Sequence, residues 1–184
     1  MKYLLIILLF LYPLKLNANI KEEIKIKLEN TNNIYFKFIQ KINDKIEKGE
    51  CNILYPKKIY CKYDDLYNKI LVSNGKSLVI NSKKIRNYLN YKLKDTPLNL
   101  LLDKNYLLKK LSEIDQINEN NETYYFKAIH NKNTLTIFFD KINFNIIGWT
   151  TLDIYQNKVE TKLFSVQTNL TIDNEIFIVQ KYIN

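Results

Sequence analysis

Few residues of this chain are suited to chemistry. One histidine, His130, and two cysteines, Cys51 and Cys61, stand among 184 residues. A metal centre gathers three or four N, S or O donors, and this set does not supply them. His130, beside Asn131, has no nucleophile near it in sequence to activate. The carboxylates Glu22-Glu23 and Asp64-Asp65 come as neighbours, whose side chains diverge on a helix or strand rather than converge as an acid/base pair. Serines are sparse, and none sits in a nucleophile elbow. With only Gly49, Gly75 and Gly148 in the chain, no glycine-rich phosphate loop can form. The expectation is a protein that is not an enzyme and that needs no metal or cofactor.

The cysteines offer a different chemistry, oxidation to a bridge. If Tyr55-Pro56-Lys57 is the tip of a hairpin, then 54 faces 58, 53 faces 59, 52 faces 60 and 51 faces 61. Directly opposed residues in a non-hydrogen-bonded pair lie about 4.5 Å apart at Cα, inside the disulfide range but near its lower edge. The alternative is two reduced cysteines packing as small apolar residues. An oxidising compartment favours the bridge.

The first residues bear on that compartment. Met1-Lys2-Tyr3 is a short basic start, and Leu4 to Tyr12 is an unbroken apolar run. Pro13 and the small-residue site Leu16-Asn17-Ala18 follow. The run is shorter than the roughly 20 residues needed to span a bilayer and has the layout of a secretory signal peptide. Cleavage after Ala18 divides the chain into a signal at 1–18 and a single domain at 19–184. No cysteine follows that site, so no N-terminal acylation is expected, and no later stretch is long and apolar enough to cross. The expected product is exported and soluble. Its formal charge is +7, because Lys2 and Lys15 leave the +9 of the whole chain. That charge suits anionic lipid or an acidic partner, or simply reflects the abundance of Lys, Asn, Ile and Tyr together. Arg86 is the only arginine, and an exported chain without a basic cluster is not expected to bind nucleic acid.

The elements must position whatever the chain binds. Ile20, Ile24 and Leu28 recur every four residues, which predicts a helix with one apolar stripe. From Tyr35 to Ile42 the period falls to two, with Phe36 and Phe38 on one side. A second strand ends at Leu54, and a third runs from Lys58 to about Asp64. Counting by twos puts Cys51, Ile53 and Tyr55 on the same face as Ile59 and Cys61. KILVS and KSLVI flank Asn74-Gly75, which predicts a hairpin with a type I′ turn. Arg86 to Leu93 reads as another strand.

The segment KDTPLNLLLDKNYLL then breaks the pattern. Thr96 is placed to cap a helix and Pro97 to begin it. At 100° per residue Leu98, Leu100, Leu101 and Leu102 point to nearly every side, so the helix must meet apolar surface on more than one face. Tyr106 to Leu111 adds a further helical turn or two. Tyr124 to Ile129, Thr134 to Asp140, Ile146 to Tyr155 and Val159 to Val166 read as a strand meander, closed by Asn169 to Val179. The predicted fold is mainly β with helices: about ten antiparallel strands curled into a barrel or half-barrel, with Leu98 to Leu102 plugging its mouth. The interior is either an ordinary filled core or a cavity for an apolar ligand.

Five stretches, in order from Ile20 to Val179, resemble the periplasmic outer-membrane lipoprotein carrier family, LolA. They are FKFIQKI, the Gly49-to-Pro56 hairpin, ILVSNGKSLVI, DTPLNLLLD and GWTTLDIYQNKVETKLFSVQTN. The resemblance implies an unclosed antiparallel β-barrel (half-barrel) covered by a helical lid, in a periplasmic monomer that shields the acyl chains of lipoproteins between inner and outer membrane. Its implied partners are acylated lipoproteins, an inner-membrane lipoprotein-releasing ABC transporter, and an acceptor lipoprotein at the outer membrane or the outer membrane itself. An exported lipid- or glycolipid-binding module, or a combined carrier and acceptor, are the other readings. The expected acyl-chain cavity and lid comprise Ile24, Leu28, Phe36, Phe38, Ile53, Tyr55, Ile59, Leu98, Leu101 and Leu102, with Cys51 and Cys61 as a possible disulfide. Family members often carry an arginine just before the hairpin proline, bonded to the lid backbone. Here that residue is Tyr55, which donates one hydrogen bond rather than a fork of them, and a more easily opened lid is expected.

Overall fold

The computed structural model describes residues 19–84, 88–130, 133–153 and 155–183. The expected signal peptide, Asn131, and Arg86 at the head of an expected strand lie outside the described residues. The first helix, α1 (Ile20–Glu29), is capped by Asn19, whose side chain accepts from the Lys21 backbone N–H at 3.1 Å. Glu22 and Glu23 lie in its first turn and Lys27 in its last, complementing the helix dipole. Ile24 and Leu28 are buried.

Among the described residues eleven strands follow: β1 (Asn33–Ile42), β2 (Lys45–Leu54), β3 (Lys58–Tyr63), β4 (Ile70–Asn74), β5 (Ser77–Asn81), β6 (Leu89–Lys92), β7 (Asn118–Glu119), β8 (Thr123–His130), β9 (Asn133–Asp140), β10 (Ile146–Leu152) and β11 (Lys158–Thr168). They form one antiparallel sheet in the order β6-β5-β4-β3-β2-β1-β11-β10-β9-β8-β7. From β1 at the centre the chain steps outward, hairpin by hairpin, to the edge strand β6. It then crosses to the opposite edge, β7, and steps back until β11 lies beside β1. The two edges do not pair, so the barrel stays open, as the family resemblance implies.

This topology explains the helical cover. Residues 93–117 are the one connection between the two edges, and they carry α2 (Leu98–Leu101) and α3 (Lys104–Glu113) across the curled sheet. α3 packs against α1, and each helix supplies a lysine to the other's C-terminal carbonyls. Lys21 Nζ donates to Ile114 O at 2.9 Å, and Lys104 Nζ donates to Glu29 O at 3.0 Å and Thr31 O at 3.1 Å. These carbonyls have no partner within their own helix, and the lysines satisfy them from the favourable end of the dipole.

Four local expectations are corrected. At the β4–β5 turn only Gly75 has positive φ, at 96°, so the turn is not type I′. The Asn74 side chain instead accepts from the backbone N–H groups of Lys76 and Ser77, both at 3.0 Å, organising a longer loop. Thr96 does not cap α2: its hydroxyl turns back to donate to Leu93 O at 2.8 Å. β10 ends at Leu152 because the Asp153 carboxylate accepts from Tyr155 N and Asn157 N, closing a turn. Residues 169–179 make no strand, since β11 already has β1 and β10 on its two sides. The tail folds into 3₁₀ turns, Asn174–Phe177 and Val179–Tyr182, and lays Val179 on Val72 and Val79. Tyr182 packs 5.6 Å from Tyr60 there.

Candidate ligand cavity

Period-two alternation arranges the side chains of β1 to β6 in rows across the strands. Nearest the Tyr55–Lys57 turn, one row reads Ile34, Ile53, Ile59, Ser73, Leu78, Tyr91. The next is Phe36, Cys51, Cys61, Leu71, Ile80, Leu89. Then come Leu163, Phe38, Gly49 and Tyr63, and beyond them Thr161, Gln40 and Glu47. The interior is therefore apolar at one end and polar at the other.

Cys51 and Cys61 are joined by a disulfide with Cα atoms 4.1 Å apart. In the third row Gly49 has a steric role. A Cβ there would stand 2.2 Å from Lys62 O and 3.0 Å from Phe38 Cε1. Its absence lets the Phe38 ring reach across to Tyr63, edge-on at 5.2 Å.

These rows do not fill the interior. A cavity of about 270 Å³ remains, near the lower end of small-ligand pockets, which run from about 300 to 1,000 Å³. Of the residues expected from sequence, Phe36, Phe38, Ile59 and Leu98 line it, together with Cys51 and Cys61. Ile24, Leu28, Ile53, Tyr55, Leu101 and Leu102 are buried in the surrounding hydrophobic core, outside the lining. Leu71, Leu78, Tyr91 and Trp149 also belong to the apolar wall. Tyr91 belongs to β6 and Trp149 to β10, so both arms of the sheet curl around one space.

The polar end escaped sequence reasoning. Glu47 is buried there, and Lys69 Nζ donates to both of its carboxylate oxygens at 2.7 Å. Lys45 Nζ and Gln40 Nε2 also donate to Glu47, and Thr161 Oγ1 donates to Gln40 Oε1 at 3.2 Å. The Lys69 ammonium stands 3.7 Å from the centre of the Tyr63 ring. A signal for Glu47 was present: it is in phase with Cys51 and Gly49, two residues per step. Lys69 precedes β4 and left no such trace.

Burial alone would raise the Glu47 carboxyl, but bonds and charge from Lys45 and Lys69 outweigh it and hold the group below its ordinary value. Burial draws the Lys69 ammonium down against the pull of Glu47. The two shifts point opposite ways for the ion pair; the carboxylate's direction governs in acid, where Lys69 stays protonated. A depressed carboxyl stabilises the fold above its unfolded pKa, and that contribution is lost as pH falls through the folded value. Glu47→Gln should therefore flatten the acid limb of the stability–pH curve. Urea midpoints of both proteins between pH 7 and pH 3 check this, and parallel curves would refute it.

Residues 29–180 match the family described as outer membrane lipoprotein carrier protein LolA. The chain belongs to this family. No curated protein matches it in sequence. In fold it is similar to an uncharacterized conserved protein from Thermus thermophilus, with TM-score 0.52 and 7% identity over 84% of this chain and 91% of that one. A LolA superfamily protein from Nitrosomonas europaea aligns with TM-score 0.45 and 6% identity over 88% of this chain and 98% of that one.

Tyr55, where the resemblance implies an arginine, presents a buried hydroxyl with no hydrogen-bond partner among the described residues. Burial pushes its pKa upward. Two residues on, Lys57 does reach the lid. Its backbone N–H donates to Leu102 O at 2.9 Å and its ammonium pairs with Asp103 at 3.1 Å. Lys57 holds φ at 67° to do so, and Ser73 Oγ donates to its carbonyl at 3.2 Å. An unpaired buried hydroxyl costs about 1–3 kcal/mol in desolvation. Tyr55→Phe should accordingly stabilise the protein by about 1 kcal/mol, read as a rise in urea midpoint. A fall of the same size would show that the hydroxyl has a partner.

Proposed function

We propose that this LolA-family protein is a periplasmic carrier that binds the acyl chains of lipoproteins and moves them from the inner to the outer membrane. The observation that carries the reading is the unfilled, mostly apolar cavity beneath α2, in a chain of the lipoprotein-carrier family. In this reading residues 1–18 direct export and are removed, and the mature chain acts as a monomer. Phe36, Phe38, Ile59 and Leu98 contact the acyl chains, while Leu101 and Leu102 seat the lid. Cargo comes from an inner-membrane ABC transporter and passes to an acceptor lipoprotein or to the outer membrane itself.

The energetics require a shielded path. At about 0.8 kcal/mol per CH₂, a chain of roughly 16 carbons costs on the order of 12 kcal/mol to leave in water. The cavity is small for such cargo, so admission displaces part of the cover. α2 is the shortest α-helix of that cover, and the contacts of Lys57 with Leu102 and Asp103 are the ties to be released.

The test adds purified mature protein to spheroplasts holding newly made lipoproteins and measures lipoprotein in the soluble fraction. ATP-dependent release as a one-to-one complex supports the carrier reading. No release, with the homologous transporter present and a known carrier active alongside, overturns it. Binding of free lipid or glycolipid without release would leave an exported lipid-binding module.

A further inference from the structure

The strands that line the cavity have a second face. The cavity takes Phe36 and Phe38 from β1, Cys51 from β2, Ile59 and Cys61 from β3, and Thr161 from β11. The residues between them point to the opposite side of the sheet. Because the sheet curls around the cavity, this outer face is convex. The C-terminal tail covers it over β4 and β5, where Val179 meets Val72 and Val79. Lys58 lies at the margin of that cover, 5.8 Å from the centre of the Phe177 ring.

Beyond the tail the face is basic. Lys37 and Lys41 on β1, Lys48 on β2, Lys62 on β3 and Lys162 on β11 are all exposed. None of the five makes an ion pair among the described residues. Lys158 pairs with Glu160 and cancels it, while Lys41 and Lys162 act on Glu160 through space. Glu50 is the other carboxylate at the outward positions of these strands, and it accepts the Tyr35 hydroxyl at 3.0 Å. Asp44 and Asp64 stand in the turns at one end. Five ammoniums against Glu50 leave a net +4 on four adjacent strands. Apolar side chains alternate with the lysines. Phe164 is opposite Lys37, Ile46 is opposite Lys41, and Ile39 stands between Lys48 and Lys162. Phe164 is 46% exposed and Ile46 61%.

A convex surface offers a rigid partner no recess to fill, and lysines present mobile point charges rather than planar forks for fixed carboxylates. Fluid anionic headgroups conform to both features. The exposed apolar side chains then enter the headgroup boundary between the lysine stems. We propose that the outer face of β11, β1, β2 and β3 is a docking surface for an anionic phospholipid membrane. Docking there leaves the cavity and its helical cover free on the other side of the sheet. The inference uses no cavity residue, so it stands or fails independently of the carrier reading.

Co-sedimentation of purified mature protein with phosphatidylcholine vesicles, pure or mixed with phosphatidylglycerol, tests it. Binding should require the anionic lipid and weaken as salt is raised. Each lysine at such a surface strengthens binding about fivefold, so Lys37→Gln, Lys48→Gln and Lys162→Gln together should weaken it on the order of a hundredfold. The charge-matched set Lys76→Gln, Lys94→Gln and Lys109→Gln, at exposed positions elsewhere, should weaken it less than about fivefold. Trp149 is buried and is the chain's one tryptophan, so Phe164→Trp adds a reporter on the face. Its emission should shift to the blue with anionic vesicles and not with pure phosphatidylcholine. Equal losses from the two triple variants would make binding a matter of net charge and overturn the assigned face, as would an unshifted emission from vesicle-bound Phe164→Trp. No vesicle binding, with salt-sensitive binding to polyglutamate instead, would give the face to an acidic protein and overturn the membrane.

Discussion

Leu102→Ala is expected to lower the unfolding free energy by about 3–4 kcal/mol. Its side chain is fully buried, and truncating such a leucine costs about 2–5 kcal/mol through lost transfer energy and the void left behind. The position also ends α2, and its carbonyl accepts the Lys57 N–H that ties the lid to the β2–β3 turn. Relaxation into the void would move that carbonyl and loosen the tie. Leu98→Ala is the control: Leu98 is only partly buried and faces the cavity, so its truncation should cost about 1 kcal/mol and enlarge the space. Urea unfolding of both variants reads the contrast. Equal losses would mean that Leu98 and Leu102 play the same part, against the division between lining and core seen here.

Replacing Cys51 and Cys61 together by alanine should cost about 2.5–3 kcal/mol. The bridge closes a loop of sequence separation 10, and its main effect is to restrict the unfolded chain. Both side chains are buried and small, so the alanine pair leaves little void and isolates the cross-link term. The comparison is between urea midpoints of oxidised wild type and the double variant. A loss below 1 kcal/mol would show that the β2–β3 hairpin is already formed in the unfolded ensemble. Because both sulfurs border the cavity, the same variant should also bind an acyl probe with altered affinity.

The cross-strand pairing of 51 with 61 was legible because a hairpin's register follows from its tip and alternation is strictly local. The stripe of α1 was legible for the same reason, as was the place of the β4–β5 hairpin. Alternation says which residues share a face; it does not say what covers that face. Ile53 and Ile59 are directly paired on one face, yet Ile59 lines the cavity and Ile53 lies in the packed core. That difference depends on a cover assembled from residues far away in the chain. Glu47 was in phase with Cys51, but its charge argued for solvent until Lys69, 22 residues later, was brought against it. The tail after Thr168 carried strand-forming residues, and only the sheet order closed off a hairpin with β11, whose two sides are taken by β1 and β10.

By itself the sequence determined the antiparallel strands, a barrel or half-barrel with helices at its mouth, and the disulfide register. These follow from local period, turn chemistry and residue inventory. The tertiary structure decided that the interior is left partly empty, which leucines pack in the core and which face the space, and that an ion pair stands at its polar end. Each of these depends on the long connection from β6 to β7 and on contacts between residues distant in sequence, and no short-range pattern encodes such contacts.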